Sequence, residues 1–226
     1  WPDKTPEMDY FYPTNVLVTG YDIIFFWVVR MVFSALHNTD SLPFKDVLIH
    51  GLVRDSQGRK MSKSLGNGVD PLEVIETYGT DALRYALISG VAAGSDMRYL
   101  PEKVENGRNF ANKVWNATRF IMMNIGDADL TKVDFKNLKL ETSDKWILNK
   151  MNKLINTVTD NIEKYDLGIA IDNIVDFMWS EYCDWYIEMC KSRFKEEGDS
   201  KIAALWTLNE VLKTSMKLLH PFMPFI

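Results

Sequence analysis

The spacing of hydrophobic positions changes along the chain, from short unbroken apolar runs near the start to helical stripes beyond residue 101. Val16-Leu17-Val18-Thr19 is an unbroken run bounded by Asn15 and Gly20, the pattern of a strand buried on both faces in a parallel sheet. Residues 21–37 are apolar nearly all round, interrupted by Asp22 and Arg30, which predicts a helix covered on most sides. The segment 38–43 breaks it, and Val47-Leu48-Ile49 predicts a second buried strand ending at His50-Gly51. Strand, helix, strand at this spacing makes a parallel pair with a right-handed crossover. Residues 52–58 read as a polar turn. Asp70 and Pro71 then supply an N-cap and first helical position, with Glu73 in capping-box spacing and Gly79 as the stop. A second short helix over 80–88 is closed by Gly90.

Beyond Pro101 prolines vanish until Pro221 and the period becomes helical. A helix over 102–124 puts Phe110, Val114, Ala117 and Ile121 on one stripe and Arg108, Asn112, Trp115 and Arg119 on another. The second stripe has the chemistry to bind RNA phosphate and stack a base; a solvated basic face with one Trp packed at a domain junction is the commoner arrangement. Asp144 is predicted to cap a helix carrying Ile147, Met151, Leu154, Val158 and Ile162. A third helix over 168–195 has Ile171, Ile174, Met178, Trp185 and Met189 as its expected core side, and Trp179, Tyr182 and Tyr186 make it unusually aromatic. A fourth over 200–219 ends before Pro221. Four antiparallel helices would bury these stripes, so the predicted class is α/β plus all-α, changing near residue 105.

Composition narrows the chemistry. With 226 residues and 46% hydrophobic content a sizeable core is expected. A net charge of −5 argues against a generic polyanion binder, so nucleic-acid contact must be local. Cys183 and Cys190, seven residues apart on one expected helix, are separated by about 10 Å of rise, too far for a disulfide. The three histidines, His37, His50 and His220, are scattered, so no metal site is expected. No apolar run reaches a membrane-spanning length, and the cytoplasm is the expected compartment. The start at Trp1 and the apolar end at Ile226 lead us to expect a piece of a longer protein.

The densest chemistry lies in residues 58–68, with three cations, Arg59, Lys60 and Lys63, three glycines, and the hydroxyls of Ser62 and Ser64. Glycines allow close backbone approach, and lysines are mobile point charges suited to phosphate oxygens. By composition alone this is also what a surface turn looks like. Its position argues for more, because ligands of open parallel sheets sit beyond the carboxyl ends of the strands. There Gly20 with Asp22, and His50 with Gly51, would offer a close backbone and a carboxylate for ribose hydroxyls. Asp22 is equally suited to capping the helix that follows.

The pentapeptide Lys60-Met61-Ser62-Lys63-Ser64 is the second signature of the class I aminoacyl-tRNA synthetases, and the chain resembles that family, specifically its valine-specific branch. Three stretches carry the resemblance: Thr19-Gly20-Tyr21-Asp22-Ile23-Ile24-Phe25-Phe26-Trp27; His50-Gly51-Leu52-Val53-Arg54-Asp55 running into residues 58–67; and Arg108-Asn109-Phe110-Ala111-Asn112-Lys113-Val114-Trp115 with the residues to Phe120. The resemblance implies a ligase that joins valine to ATP as an adenylate and then moves it to the terminal ribose of its tRNA. It implies Lys60, Lys63, Ser62 and Ser64 as catalytic residues acting on the triphosphate. Gly20, Asp22, His50, Gly51 and Met61 would lie at ATP or the adenylate. Ile23 and Trp27, four apart on one expected helix face, would line a valine pocket. Arg108, Asn112, Trp115 and Arg119 would contact tRNA. The implied partners are ATP, valine and tRNA, with neither DNA nor membrane. Magnesium would arrive as the ATP complex, with no tightly bound cofactor.

The same resemblance implies three segments: 1–60 as the second half of a Rossmann-like catalytic fold, 61–105 as the signature loop and a connector contacting the tRNA stem, and 106–226 as a helical-bundle anticodon-binding domain. The family's first signature, of His-x-Gly-His type, is absent from these residues, so the chain alone is expected to be inactive. The competing reading is a non-catalytic helical RNA-binding or interaction module whose Lys-rich loop is a basic turn. It gives no reason for a strand, helix, strand unit to deliver that loop to the strand ends.

Overall fold

Strand β1, Thr14–Gly20, and strand β2, Phe44–His50, pair in parallel, with Thr19 opposite Ile49 and Gly20 opposite His50, so the two carboxyl ends are level. The computed structural model that shows this describes residues 1–195 and 197–226. A short helix α1, Pro6–Phe11, capped by the Thr5 hydroxyl, precedes β1.

The crossover differs from the single covered helix expected for 21–37. It runs as a 3-10 turn over Tyr21–Ile23, a π-helical stretch over Ile24–Val28, and helix α2, Val29–Thr39. Only Val28 and Ala35 are buried in these elements, while Phe25 is 80% exposed and Trp27 59%. The strands are likewise not buried on both faces: Val16, Val18 and Val47 are exposed. Two strands and one crossover supply too little chain to cover both faces of a sheet.

Two further strands were not expected. The segment read as a polar turn begins with β3, Val53–Arg54; helices α3, Pro71–Tyr78, and α4, Thr80–Ile88, follow before β4, Met97–Arg98, which pairs in parallel with β3. Asp70 caps α3 through the Leu72 N–H and Gly79 ends it at φ +92°, both as the sequence indicates. The return of β4 to β3 divides the chain. One unit is Trp1–Gly68 with Val91–Leu100, the other Val69–Gly90 with Pro101–Ile226. Residues 61–105 are thus shared between the two units rather than forming a segment of their own.

The second unit is helical: α5, Pro101–Ile125; α6, Thr142–Glu163; α7, Leu167–Asp176; a π-helical stretch over Phe177–Tyr186; α8, Ile187–Cys190; and α9, Asp199–Leu219. The predicted stripes of α5 and α6 enter its core through Phe110, Val114, Ile121, Ile147, Met151, Leu154 and Val158. Gly107 lets α5 meet α4 closely, since a Cβ there would lie 2.8 Å from the Ala82 carbonyl oxygen. Two expectations are corrected. Trp185 and Met189 are exposed, and Tyr182 and Tyr186 are buried in their place. The π-helical stretch has i→i+5 bonding, which rotates the buried stripe away from an α-helical phase onto positions four apart. Asp144 is not the N-cap of α6. Glu141 is, and Asp144 is the third residue of the helix, closing a capping box with Glu141 and buried against Arg193 and Tyr186.

Cys183 and Cys190 are both free thiols. Among the described residues no helix is long and apolar enough to cross a membrane.

Candidate functional site

At the level ends of β1 and β2 the backbone is crowded. A Cβ on Gly20 would lie 2.9 Å from Asp22 Oδ1, with Leu52 and the His50 ring close behind, so a side chain at this position would displace Asp22. A Cβ on Gly51 would fall 2.0 Å from the Ser95 carbonyl oxygen. Gly51 is therefore required by the chain's own backbone, which brings residues 95–96 against the end of β2. Asp96 holds that approach: its carboxylate accepts the Leu52 N–H at 2.7 Å, pairs with Arg54 and accepts the Tyr21 hydroxyl at 3.0 Å. The Leu52 N–H above all, and then Arg54, hold the Asp96 carboxyl below its ordinary range.

Arg54 leads into the signature loop through an antiparallel bridge to Lys60. Between them Asp55, almost fully buried, closes the turn with Gly58 at φ +81°. Asp55 Oδ1 accepts the N–H groups of Gln57 and Arg59 at 3.0 and 2.8 Å; Oδ2 accepts Arg59 Nε at 2.7 Å and the Asn67 amide at 2.9 Å. The Asn67 hydrogen bond is the largest influence holding this carboxyl far below the usual carboxylate range, against the opposing effect of burial and with help from Arg59.

The loop itself contains a 3-10 turn over Lys63–Leu65, capped by Ser62 Oγ, which accepts the Leu65 N–H and lies 3.2 Å from Ser64 Oγ. Lys60 Nζ donates to Asp22 Oδ2 at 3.0 Å, so the loop's first lysine meets the carboxylate just beyond β1. Lys63 is exposed and enters no ion pair among the described residues. Met61 is half-buried, and His50 is exposed with Nδ1 2.8 Å from the Gly51 carbonyl oxygen. The structure thus brings together Gly20, Asp22, His50, Gly51 and Lys60. Asp22 is not the cap of the following turn; it is an ion-pair partner.

Ile23 and Trp27 do not share an α-helical face. Ile23 ends the 3-10 turn and Trp27 lies in the π-helical stretch, so the four-residue stacking of an α-helix does not apply, and both side chains are exposed. On α5, Asn112, Trp115 and Arg119 are exposed. Arg108 is partly engaged, paired with Glu105 at 2.6 Å and 5.5 Å from the Tyr78 ring centre.

Sequence reasoning did not single out Asp55, Asn67, Arg54, Tyr21 or Asp96. Asp55 had a local signal, an acid three residues before a glycine at a turn. Asp96 had none, because its partners lie more than 40 residues earlier.

Strands carrying a glycine-lined end thus stand beside a Lys-Met-Ser-Lys-Ser loop joined to that end by an ion pair, in a chain that also holds a helical unit. Residues 1–99 match the family model "tRNA synthetases class I (I, L, M and V)" and residues 144–226 the model "Anticodon-binding domain of tRNA ligase". The chain belongs to this family, as part of its catalytic domain together with an anticodon-binding domain. Within the family it is similar along its whole length to valine–tRNA ligases: 58% identical to those of Clostridium tetani and Clostridium acetobutylicum, and 54% to that of Geobacillus stearothermophilus. It spans 26% of each of these relatives. Among solved structures, Mycobacterium tuberculosis methionyl-tRNA synthetase in complex with methionyl-adenylate aligns with all of this chain and 45% of its own, with a TM-score of 0.80 and 25% identity. A leucyl enzyme from Agrobacterium radiobacter, solved with tRNA, covers 94% of this chain and 26% of its own, with a TM-score of 0.71 and 22% identity, and so supports the fold.

Proposed function

We propose that the protein containing this chain is a valine–tRNA ligase. It joins the valine carboxylate to the α-phosphorus of ATP, releasing pyrophosphate, and then passes the valyl group from the adenylate to a hydroxyl of the terminal ribose of tRNA(Val), releasing AMP. The observation that carries this reading is the Lys60–Asp22 pair, which joins the signature loop to the strand end in a chain 58% identical to valine–tRNA ligases over its full length.

In this reading Asp22, with Gly20, His50, Gly51 and Met61, receives the adenosine and its ribose. Lys60 and Lys63, with Ser62 and Ser64, stabilise the negative charge that gathers on the departing pyrophosphate, which is catalysis by positioned cations. Lys63, unpaired among the described residues, has its charge free for that task. Magnesium enters with ATP as part of the substrate. Ile23 and Trp27 form part of the valine-binding surface, and Arg108, Asn112, Trp115 and Arg119 present a basic and aromatic face to tRNA. The compartment proposed for it is the cytoplasm.

The test is valine-dependent exchange of pyrophosphate into ATP. The full-length protein should catalyse it. The 226-residue chain, about a quarter of the length of its relatives, should not. Absence of exchange by the full-length protein would overturn the proposal, and exchange by the chain alone would overturn the expectation that this piece is inactive by itself.

A further inference from the structure

Asn67 lies seven residues beyond Lys60, outside the signature pentapeptide, yet it touches three parts of the loop's surroundings. Its Oδ1 accepts the Ser62 N–H at 3.0 Å; its Nδ2 donates to the Lys60 carbonyl at 3.3 Å and to Asp55 Oδ2 at 2.9 Å. Asp55 is 7% exposed and tied to the backbone on both sides of its turn, to Gln57 and Arg59. One amide therefore spans the base of the loop, binding the main chain at residues 60 and 62 to a buried carboxylate that cannot shift without breaking the 55–59 turn. The Lys60 side chain leaves this fixed stretch for Asp22, while Lys63 and Ser64 project beyond it.

We propose that Asp55 and Asn67 are positioning residues for valine activation, a clamp that sets where the loop's cations stand relative to the ends of β1 and β2. The inference rests on the ligase reading above. Neither residue carries charge to the substrate. Asn67 determines the path of the backbone at Lys60 and Ser62, and Asp55 holds Asn67. A misplacement of about 1 Å in a positioned catalytic group costs on the order of 100-fold in rate, which is the size of effect the clamp should have.

The experiment uses the full-length protein. Asn67→Ala should lower kcat for valine-dependent pyrophosphate exchange by about 100-fold while leaving the valine KM within about twofold. In the same protein, amide hydrogen exchange of the peptide spanning residues 60–67 should speed up. Asn67→Asp places two carboxylates side by side and should lose at least as much. Wild-type kcat in Asn67→Ala, an equal loss in valine binding, or unchanged hydrogen exchange would each overturn the clamp. A wild-type protein without valine-dependent exchange would instead overturn the ligase reading, and the hydrogen-exchange arm would still measure whether the clamp exists.

Discussion

Removing the Asp144 carboxylate should unfold the helical unit more readily than removing any of its surface ion pairs. Asp144 is fully buried and Arg193 is 8% exposed, joined through Oδ1 to Nη1 at 2.6 Å and Oδ2 to Nη2 at 3.0 Å. The Tyr186 hydroxyl at 2.6 Å and the Glu141 N–H at 2.9 Å complete the carboxylate's shell. Burial pushes this carboxyl up, but Arg193, Tyr186 and the Glu141 N–H together outweigh it and hold the group below its ordinary value of 3.8. Breaking such a pair by deleting one partner leaves an uncompensated buried charge and costs about 3–5 kcal/mol. For a chain of this size that is a fall on the order of 10 °C in unfolding midpoint. Asp144→Ala, Arg193→Met and the double variant should be compared by urea denaturation followed by far-ultraviolet circular dichroism. Asp144→Ala should cost about 3–5 kcal/mol. Arg193→Met should cost less as pH falls, since the stranded carboxyl can then take a proton. The double variant should be markedly more stable than the sum of the single losses, because no charge is left buried. Additivity within about 0.5 kcal/mol, the behaviour of independent sites, would refute the reasoning.

Two other expectations concern the first unit. Gly51→Ala should pry residues 95–96 from the end of β2, since its Cβ would meet backbone at 2.0 Å. The loss should be about 1–3 kcal/mol or more, seen as faster hydrogen exchange at the Met97 amide, which bonds to the Leu52 carbonyl. Asp96 has a folded pKa below its ordinary 3.8, so its contribution is complete above that value and is lost as pH falls through the lower folded value. Asp96→Asn should therefore be less stable at neutral pH but flatter in its acid limb, and an unchanged acid limb would count against the assignment.

Much of the candidate site was legible because it is local. The apolar runs before Gly20 and His50 predict parallel strands, and the loop follows the second strand too closely in sequence to be far from its end. The stripes of α5 and α6 were readable because an α-helix holds its phase over many turns. The third helical segment was not. A π-helical stretch changes the phase midway, and nothing in the alternation of Trp179, Tyr182, Trp185 and Tyr186 announces it.

By itself the sequence determined which elements form where the pattern is periodic, where glycine and proline stop them, and which family the signature loop belongs to. Only the tertiary structure decided that residues 53–54 pair with 97–98, that Asp96 serves Arg54 and Tyr21, and that Asp144 faces Arg193 rather than simply capping a helix. Periodicity reports which face of one element is apolar. It carries no information about which distant charged group will meet a given carboxylate, and that choice depends on how the chain returns on itself.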